Sequence, residues 1–228
     1  MLFYGIDSTY LILVLPAVIF ALWAQSNVQS TFKKYSKVSA GMTGYDSARA
    51  ILDANGLKHV RIERVAGNLT DHFDPKANVI RLSQSVHDAT TAAAVGVAAH
   101  EAGHAVQYAV GYTPMKFRSA IIPITNIGSN LAMPLILLGI LLSFPTLAYL
   151  GIAAFGLSTL FQLVTLPVEF NASGRAMDAL TAGGRLSGDE ITAAGRVLRA
   201  AALTYVAALA VSLANLLRFI SLVNRSKK

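Results

Sequence analysis

The sequence contains no cysteine. This absence excludes disulfide bonds and thiolate ligands, so any transition metal has to be bound by histidine and carboxylate side chains. Charged residues are also scarce: they make up 14% of the 228 residues, whereas soluble domains carry about 25%. The hydrophobic fraction is 54% and the mean hydropathy is +0.52. This apolar excess predicts a membrane protein.

The charge is positive, because 19 Lys and Arg residues stand against 12 Asp and Glu, a net charge of +7. A nucleic-acid surface usually interleaves basic residues with aromatic ones, and no such run occurs, so we expect no nucleic-acid partner. Many basic residues instead flank apolar segments, where positive charge sets the orientation of membrane helices. The charge pattern therefore predicts the lipid bilayer as a partner.

The chain has four apolar segments of membrane-spanning length, at 8–24, 121–143, 147–168 and 201–223. No Lys or Arg precedes the first segment, and Leu22 disrupts the small-residue pattern of a cleavage site, so we expect an uncleaved anchor rather than a signal peptide. A short link at 144–146 joins the second and third segments into a predicted helical hairpin. Arg218 interrupts the fourth segment, which is predicted to be either a spanning helix or a packed, re-entrant one.

The fold class predicted from these segments is a mainly α membrane protein with a small α+β, zincin-like catalytic domain. Its parts are an N-terminal anchor (1–25), a water-facing domain (26–118), a transmembrane hairpin (119–168), a third-ligand and helical segment (169–200), and an apolar helix with a basic tail (201–228). If 25–118 and 169–200 face the cytoplasm, they place 15 of the 19 basic residues there (11 plus 4), as the positive-inside rule favours.

Within the water-facing domain, Thr43 and Asp46 have the spacing of a capping box, which opens a short helix that Asn55 and Gly56 close. Two strands are predicted at 59–65 and 78–83, as a small antiparallel pair. The second strand is also a candidate edge for binding an extended peptide, or it is scaffold only. A buried, Ala-rich helix is then expected to begin after Asp88 or Thr90 and to end near Val110.

His100, Glu101 and His104 form an H-E-x-x-H motif on this Ala-rich helix. Residues four apart share one helix face, so both imidazoles can reach the same zinc ion. Glu101 is then the candidate general base, which takes a proton from water whose pKa the zinc lowers. The alternative is a buried helix whose histidines only find hydrogen-bond partners, but burying an unpaired Glu beside them costs several kcal/mol.

A catalytic zinc usually has three protein ligands and one open position. The carboxylates after His104 are Glu169, Asp178, Asp189 and Glu190. Glu169 is the best candidate, because it follows the predicted hairpin, whose end returns to the membrane face from which it left. The alternative for Glu169 is a solvated carboxylate at the boundary of a span.

Four stretches together resemble the bacterial membrane zinc metallopeptidase family typified by YugP: TDHFDP at 70–75, AAHEAGHAVQ at 98–107, TLPVEFNAS at 165–173 and AALTYV at 201–206. The chain is more distantly similar to the HtpX and CAAX prenyl protease group. This resemblance implies a gluzincin with Glu169 as the third ligand, in a bacterial cytoplasmic membrane with the site facing the cytoplasm. The distant relatives have an aspartate four residues after the glutamate, where this chain has Ser173.

Two further residues are candidates for auxiliary catalytic roles. His72 can donate to the oxyanion or orient substrate, or it makes local turn contacts only. Arg175 can stabilise the tetrahedral intermediate, or it pairs with Asp178.

The predicted function is that of a zinc metalloendopeptidase, a hydrolase acting on membrane-associated or misfolded polypeptides. Two other classes remain open: an inactive zinc-binding membrane scaffold, and a zinc-binding transporter. Glu101 argues against the scaffold, since a protein without activity has no need of the base. The uncharged stretch at 121–168 argues against an ion path, which would place ionisable residues within the spans.

Overall fold

The computed structural model describes residues 8–225, which are mostly helical with one small sheet. Residues 1–7 of the predicted anchor and 226–228 of the basic tail, with Lys227 and Lys228, lie outside this range. In chain order the elements are α1 (Leu15–Tyr35), α2 (Gly44–Ala54), β1 (Arg61–Val65), β2 (His72–Asp74), β3 (Val79–Ser83), α3 (Gln84–His87), α4 (Ala92–Ala109), α5 (Thr113–Leu141), α6 (Pro145–Ala182) and α7 (Gly188–Arg225).

The chain divides into two compact units. Among the described residues, the first unit comprises 8–25, 117–166 and 204–225, and we call it the apolar unit. The second comprises 26–116 and 167–203, and we call it the mixed unit because it contains the sheet. Four helices (α1, α5, α6 and α7) contribute residues to both units.

Four helices are long and apolar enough to cross a membrane: α1 with the π-helical stretch that precedes it (together Tyr10–Tyr35), α5, α6 and α7. This confirms four candidate spans. The helices are longer than the apolar segments, because the residues that end a helix lie beyond the point at which the sequence becomes polar. α6 ends only before Gly183 and Gly184, the latter with φ +60. Glu169 therefore lies inside a continuous helix rather than after its end.

Small residues allow close packing within the apolar unit. A Cβ atom on Gly139 of α5 would overlap the backbone nitrogen of Ala148 on α6, and one on Gly151 would lie 2.7 Å from the carbonyl oxygen of Ala132. Ile136, Ala148 and Phe219 belong to its buried cluster. The α5–α6 connection turns at Ser143, which has φ 51. The predicted hairpin is therefore present.

The sheet of the mixed unit has the strand order β1-β3-β2. β1 pairs with β3 in parallel, with Arg61 opposite Val79, and β2 pairs with β3 in antiparallel orientation, with His72 opposite Arg81. The predicted antiparallel pairing of 59–65 with 78–83 is therefore wrong. Residues between the two predicted strands form β2, and the hairpin partner of β3 is this strand.

The position of β3 also corrects the predicted peptide-binding edge. β3 lies between β1 and β2, so both of its backbone edges are used for pairing. The tight β2–β3 turn explains this arrangement: the Asp74 carboxylate accepts from the backbone N–H groups of Lys76 and Ala77, and Asn78 has φ 49.

The two helices predicted for this unit are present. Thr43 and Asp46 form the expected capping box at the start of α2, and Gly56 follows its end with φ +72. α4 is capped by Thr91, whose hydroxyl accepts from Ala94 N–H at 3.3 Å. The predicted start of this helix after Asp88 or Thr90 is therefore wrong as to the capping residue, and Asp88 instead pairs with Arg64.

α4 lies in the core of the mixed unit, where it packs among α2, the sheet, α6 and α7. Glycines allow this close packing: a Cβ atom on Gly96 would lie 3.2 Å from the Cβ of Ala194, and one on Gly103 would lie 2.6 Å from the carbonyl oxygen of Ala172. The buried cluster around α4 includes Leu52, Ile80, Leu82, Val95 and Leu198.

Candidate metal centre

The two histidines of α4 lie one turn apart, and their rings meet edge to face with centroids 4.6 Å apart. Both point towards α6, which Gly103 allows to approach closely. His104 is buried and His100 is partly buried. The helix thus directs two imidazoles to one point inside the mixed unit, as the i,i+4 spacing predicts.

Glu169 projects from α6 to the same point and is only 3% exposed. Its Oε2 atom lies 3.2 Å from His100 Nε2 and 3.5 Å from His104 Nε2. One ligand atom from each of the three residues lies within 4.8 Å of the other two. Three side chains from two helices can therefore hold a single metal ion.

The spacing of these atoms fits zinc. A tetrahedral zinc ion with bonds of about 2.0–2.1 Å keeps neighbouring ligand atoms roughly 3.3–3.4 Å apart. The two Glu169–histidine separations, 3.2 and 3.5 Å, bracket that value. Three protein ligands also leave the fourth position of a catalytic zinc site for water or substrate.

The other nitrogen of each imidazole is occupied by a neighbouring side chain. His100 Nδ1 lies 3.1 Å from the Ser173 hydroxyl, and His104 Nδ1 lies 3.0 Å from the Gln107 Oε1 atom. An N–H donated from Nδ1 leaves the Nε2 lone pair free for a metal. Both contacts therefore orient the rings in the tautomer that a metal ligand needs.

Gln107 was not assigned a role from the sequence. It is fully buried, and its amide nitrogen donates to the carbonyl oxygen of Val168 at 2.8 Å and to Asn171 Oδ1 at 3.0 Å. It thus joins His104 to the α6 backbone, one residue before Glu169. Its position three residues after His104 on the helix was the available signal.

Ser173 occupies the position at which the distant relatives have an aspartate. Its hydroxyl contacts His100 from one turn after Glu169. The neutral hydroxyl accepts a hydrogen bond from the imidazole N–H without adding a second buried charge beside Glu169. Ser173 therefore provides this contact without a charge.

Glu101 is 8% exposed and lies on α4 between His100 and His104 in the sequence. Burial opposes the charged form of His104, but the Glu169 hydrogen bond and the negative charge of Glu101 outweigh it, so the pKa of His104 is raised. Burial also raises the pKa of Asp71, to which the Glu101 charge contributes, although hydrogen bonds from Ser83 oppose the shift. The Glu101 carboxylate therefore acts electrostatically on both His104 and Asp71.

The two auxiliary candidates lie apart from the three-residue cluster. Arg175 donates from Nε to Asn171 Oδ1 at 2.8 Å, which links it through Gln107 to His104. Within residues 8–225 it forms no ion pair with Asp178, so the predicted alternative pairing is wrong. His72 is exposed on β2, where Nδ1 contacts the Thr70 carbonyl oxygen at 2.8 Å and Nε2 lies 3.4 Å from Arg81.

Comparison with known proteins agrees with a zinc site. The profile of the family described as "Putative neutral zinc metallopeptidase" matches residues 10–224. The chain is 47% identical over 213 residues to "Putative membrane protease YugP" of Bacillus subtilis (strain 168), covering 92% of this chain and 95% of the relative. No solved structure matches.

Proposed function

Because the chain belongs to the "Putative neutral zinc metallopeptidase" family, we propose that it is a membrane zinc metalloendopeptidase, with His100, His104 and Glu169 as zinc ligands and Glu101 as general base. The observation that carries this proposal is the cluster of two Nε2 atoms and one carboxylate at zinc-ligand spacing. Both the resemblance to the YugP-type family and the zinc cofactor expected from the sequence are confirmed by the family match.

In the proposed reaction, Glu101 removes a proton from the attacking water and delivers it to the leaving amine. When bound, zinc lowers the pKa of water towards neutrality and polarises the substrate carbonyl. Glu101 suits this role because it neighbours the ligand His100 and lies in a buried site, where its charge acts strongly. Ser173 and Gln107 hold the ligand rings in place.

We assign auxiliary roles to Arg175 and His72. Arg175 is connected to His104 through Asn171 and Gln107, and its positive charge suits the developing oxyanion of the substrate. His72 lies on β2, which packs near α4 through the Phe73–Tyr108 ring contact. We propose that it orients the substrate.

The finer architecture is also a proposal. We infer that 26–118 is a zincin-like catalytic domain completed by 169–200, with 1–25, 119–168 and 201–228 as its membrane parts. The basic residues of 25–118 and 169–200 favour a cytoplasmic location for the site in a bacterial membrane. A site on such a domain suits membrane-associated or misfolded polypeptides as substrates.

The test uses the full chain purified in detergent, with bound metal quantified and casein cleavage measured for the parent and for Glu101→Gln. We expect one zinc in both proteins and a loss of cleavage of at least about 100-fold in the variant, since general-base catalysis contributes typically 10²–10⁴-fold. The proposed base is wrong if the variant cleaves as fast as its parent. Zinc in both proteins with cleavage by neither favours the scaffold.

A further inference from the structure

A cavity of about 580 Å³ opens between α6 and α7 within the mixed unit. This volume lies in the range of pockets that bind small molecules or side chains, about 300–1,000 Å³. Its walls are largely apolar, and they include Phe170, Met177, Ile191, Leu198, Ala202 and Leu203. The cavity is therefore suited to an apolar group of side-chain size.

The cavity adjoins the metal centre. Ser173 forms part of its wall and also contacts His100 Nδ1. Phe170, another wall residue, directly follows the ligand Glu169 and is half exposed. One side chain, Ser173, therefore separates the cavity from the imidazole of His100.

Arg199 is the charged residue of the cavity wall. Its Nη2 atom lies 3.8 Å from the position that a Cβ atom on Gly195 would occupy, so the guanidinium extends along the α7 side of the cavity. No carboxylate is among the lining residues within 8–225. A basic side chain entering the cavity would therefore meet a like charge without a compensating acid.

We propose that this cavity binds an apolar side chain of the polypeptide substrate, next to the scissile bond, and discriminates against Lys and Arg. The proposal rests on the peptidase function stated above. It assigns substrate selectivity to the groove between α6 and α7, through apolar contact with Phe170, Met177 and Leu198 and through repulsion by Arg199.

Gly174 offers a way to fill the cavity. It lines the cavity, and a Cβ atom built there meets no other atom within 4 Å. Gly174→Ala should therefore narrow the cavity slightly without a steric clash of its Cβ atom, and Gly174→Leu should narrow it more. Gly156 on the same helix also has open space around its Cβ position but lies in the apolar unit. Gly156→Leu is the matched control.

The experiment measures binding of glycine, leucine, phenylalanine and lysine hydroxamates to the zinc-loaded full chain in detergent by calorimetry. The hydroxamate group chelates the metal, so the side chain is presented beside it. We expect the leucine and phenylalanine compounds to bind at least about tenfold more tightly than the glycine compound, since one methylene in an apolar pocket is worth about 10-fold or more. The lysine compound should bind no more tightly than glycine.

Gly174→Leu should remove this preference and leave glycine hydroxamate binding unchanged, whereas Gly156→Leu should keep the preference. Equal affinities for all four compounds, or a preference that survives Gly174→Leu, would overturn the proposal. If Gly174→Leu does not retain zinc, Gly174→Ala must reduce the preference part-way. A preference that depends on Gly174 in a protein that cleaves no peptide would support the pocket and reject the peptidase function.

Discussion

The apolar unit and the mixed unit differ in where their large hydrophobic side chains lie. In the apolar unit, large hydrophobic residues such as Ile127, Leu141 and Leu150 are more than half exposed. In the mixed unit, comparable residues such as Leu52, Ile80 and Leu82 are fully buried. Extensive outward apolar surface on helices long enough to span a membrane favours lipid around the first unit.

The two units also use polar side chains differently. In the apolar unit, hydroxyl pairs join neighbouring helices singly: Ser129 with Ser158 at 2.6 Å, and Thr159 with Ser212 at 2.8 Å. In the mixed unit, Gln107 connects His104, Val168 and Asn171 in one network around the metal centre. The comparison predicts that polar substitutions have small, separable effects in the first unit and large, coupled effects in the second.

The largest effect should follow removal of a ligand. Glu169→Gln replaces the carboxylate that approaches both Nε2 atoms. Since loss of a partner outside the ligands typically weakens metal binding by about 10–100-fold, loss of a ligand should weaken it further. Zinc titration with a competing chelator measures this. The assignment fails if zinc affinity is unchanged.

A smaller effect should follow from adding one methyl group at Gly103 or at Gly151, two glycines whose Cβ positions lie similarly close to a neighbouring backbone. The added Cβ would lie 2.6 Å from the Ala172 carbonyl oxygen in Gly103→Ala and 2.7 Å from the Ala132 carbonyl oxygen in Gly151→Ala. Both should destabilise by about 1–3 kcal/mol through overpacking. Only Gly103→Ala should also lower zinc occupancy, because it separates α4 from α6. Thermal unfolding and metal content in the same samples measure both effects.

Equal zinc loss in the two glycine variants would show that the metal centre responds to strain anywhere in the chain. The contrast between the units would then not extend to metal binding.

Substitution of Gln107, the more buried partner, should lower zinc affinity more than substitution of Ser173. Gln107→Leu removes the side-chain donor to the Val168 carbonyl oxygen and the acceptor of His104, and it leaves Asn171 Oδ1 with Arg175 as its remaining donor. We expect zinc affinity to fall by about 10–100-fold. Ser173→Ala removes one partly buried contact to His100 and should have the smaller effect. A reversed order, measured by the same chelator competition, would contradict the network described for Gln107.

The smallest effect is expected for Ser129→Ala in the apolar unit. Cross-helix hydrogen bonds in membranes are worth about 0.6 kcal/mol on average. Ser129→Ala and Ser158→Ala should each cost that much, and the double variant little more, because each removes the same contact. Unfolding in mixed micelles measures the cycle. A loss of several kcal/mol would place a strongly coupled polar network in this unit too.

Much of this protein is determined by short-range sequence patterns. The i,i+4 spacing of His100 and His104 places both rings on one helix face, the Thr43–Asp46 box starts α2, and apolar segments produce the four long helices. Each of these features depends on residues close to one another in the sequence, or on the hydrophobicity summed along one segment. Such patterns can be recognised without knowing which residues pack against them in the fold.

The tertiary structure decided the features that depend on distant residues. The parallel pairing of β1 with β3 follows from β2 occupying the other edge of β3, and the strand pattern alone does not specify that choice. The contact between Ser173 and His100 joins residues 73 positions apart, and Gln107 reaches Val168 across 61 positions. Local spacing offers candidates for such contacts, but only the packing of α4 against α6 selects among them.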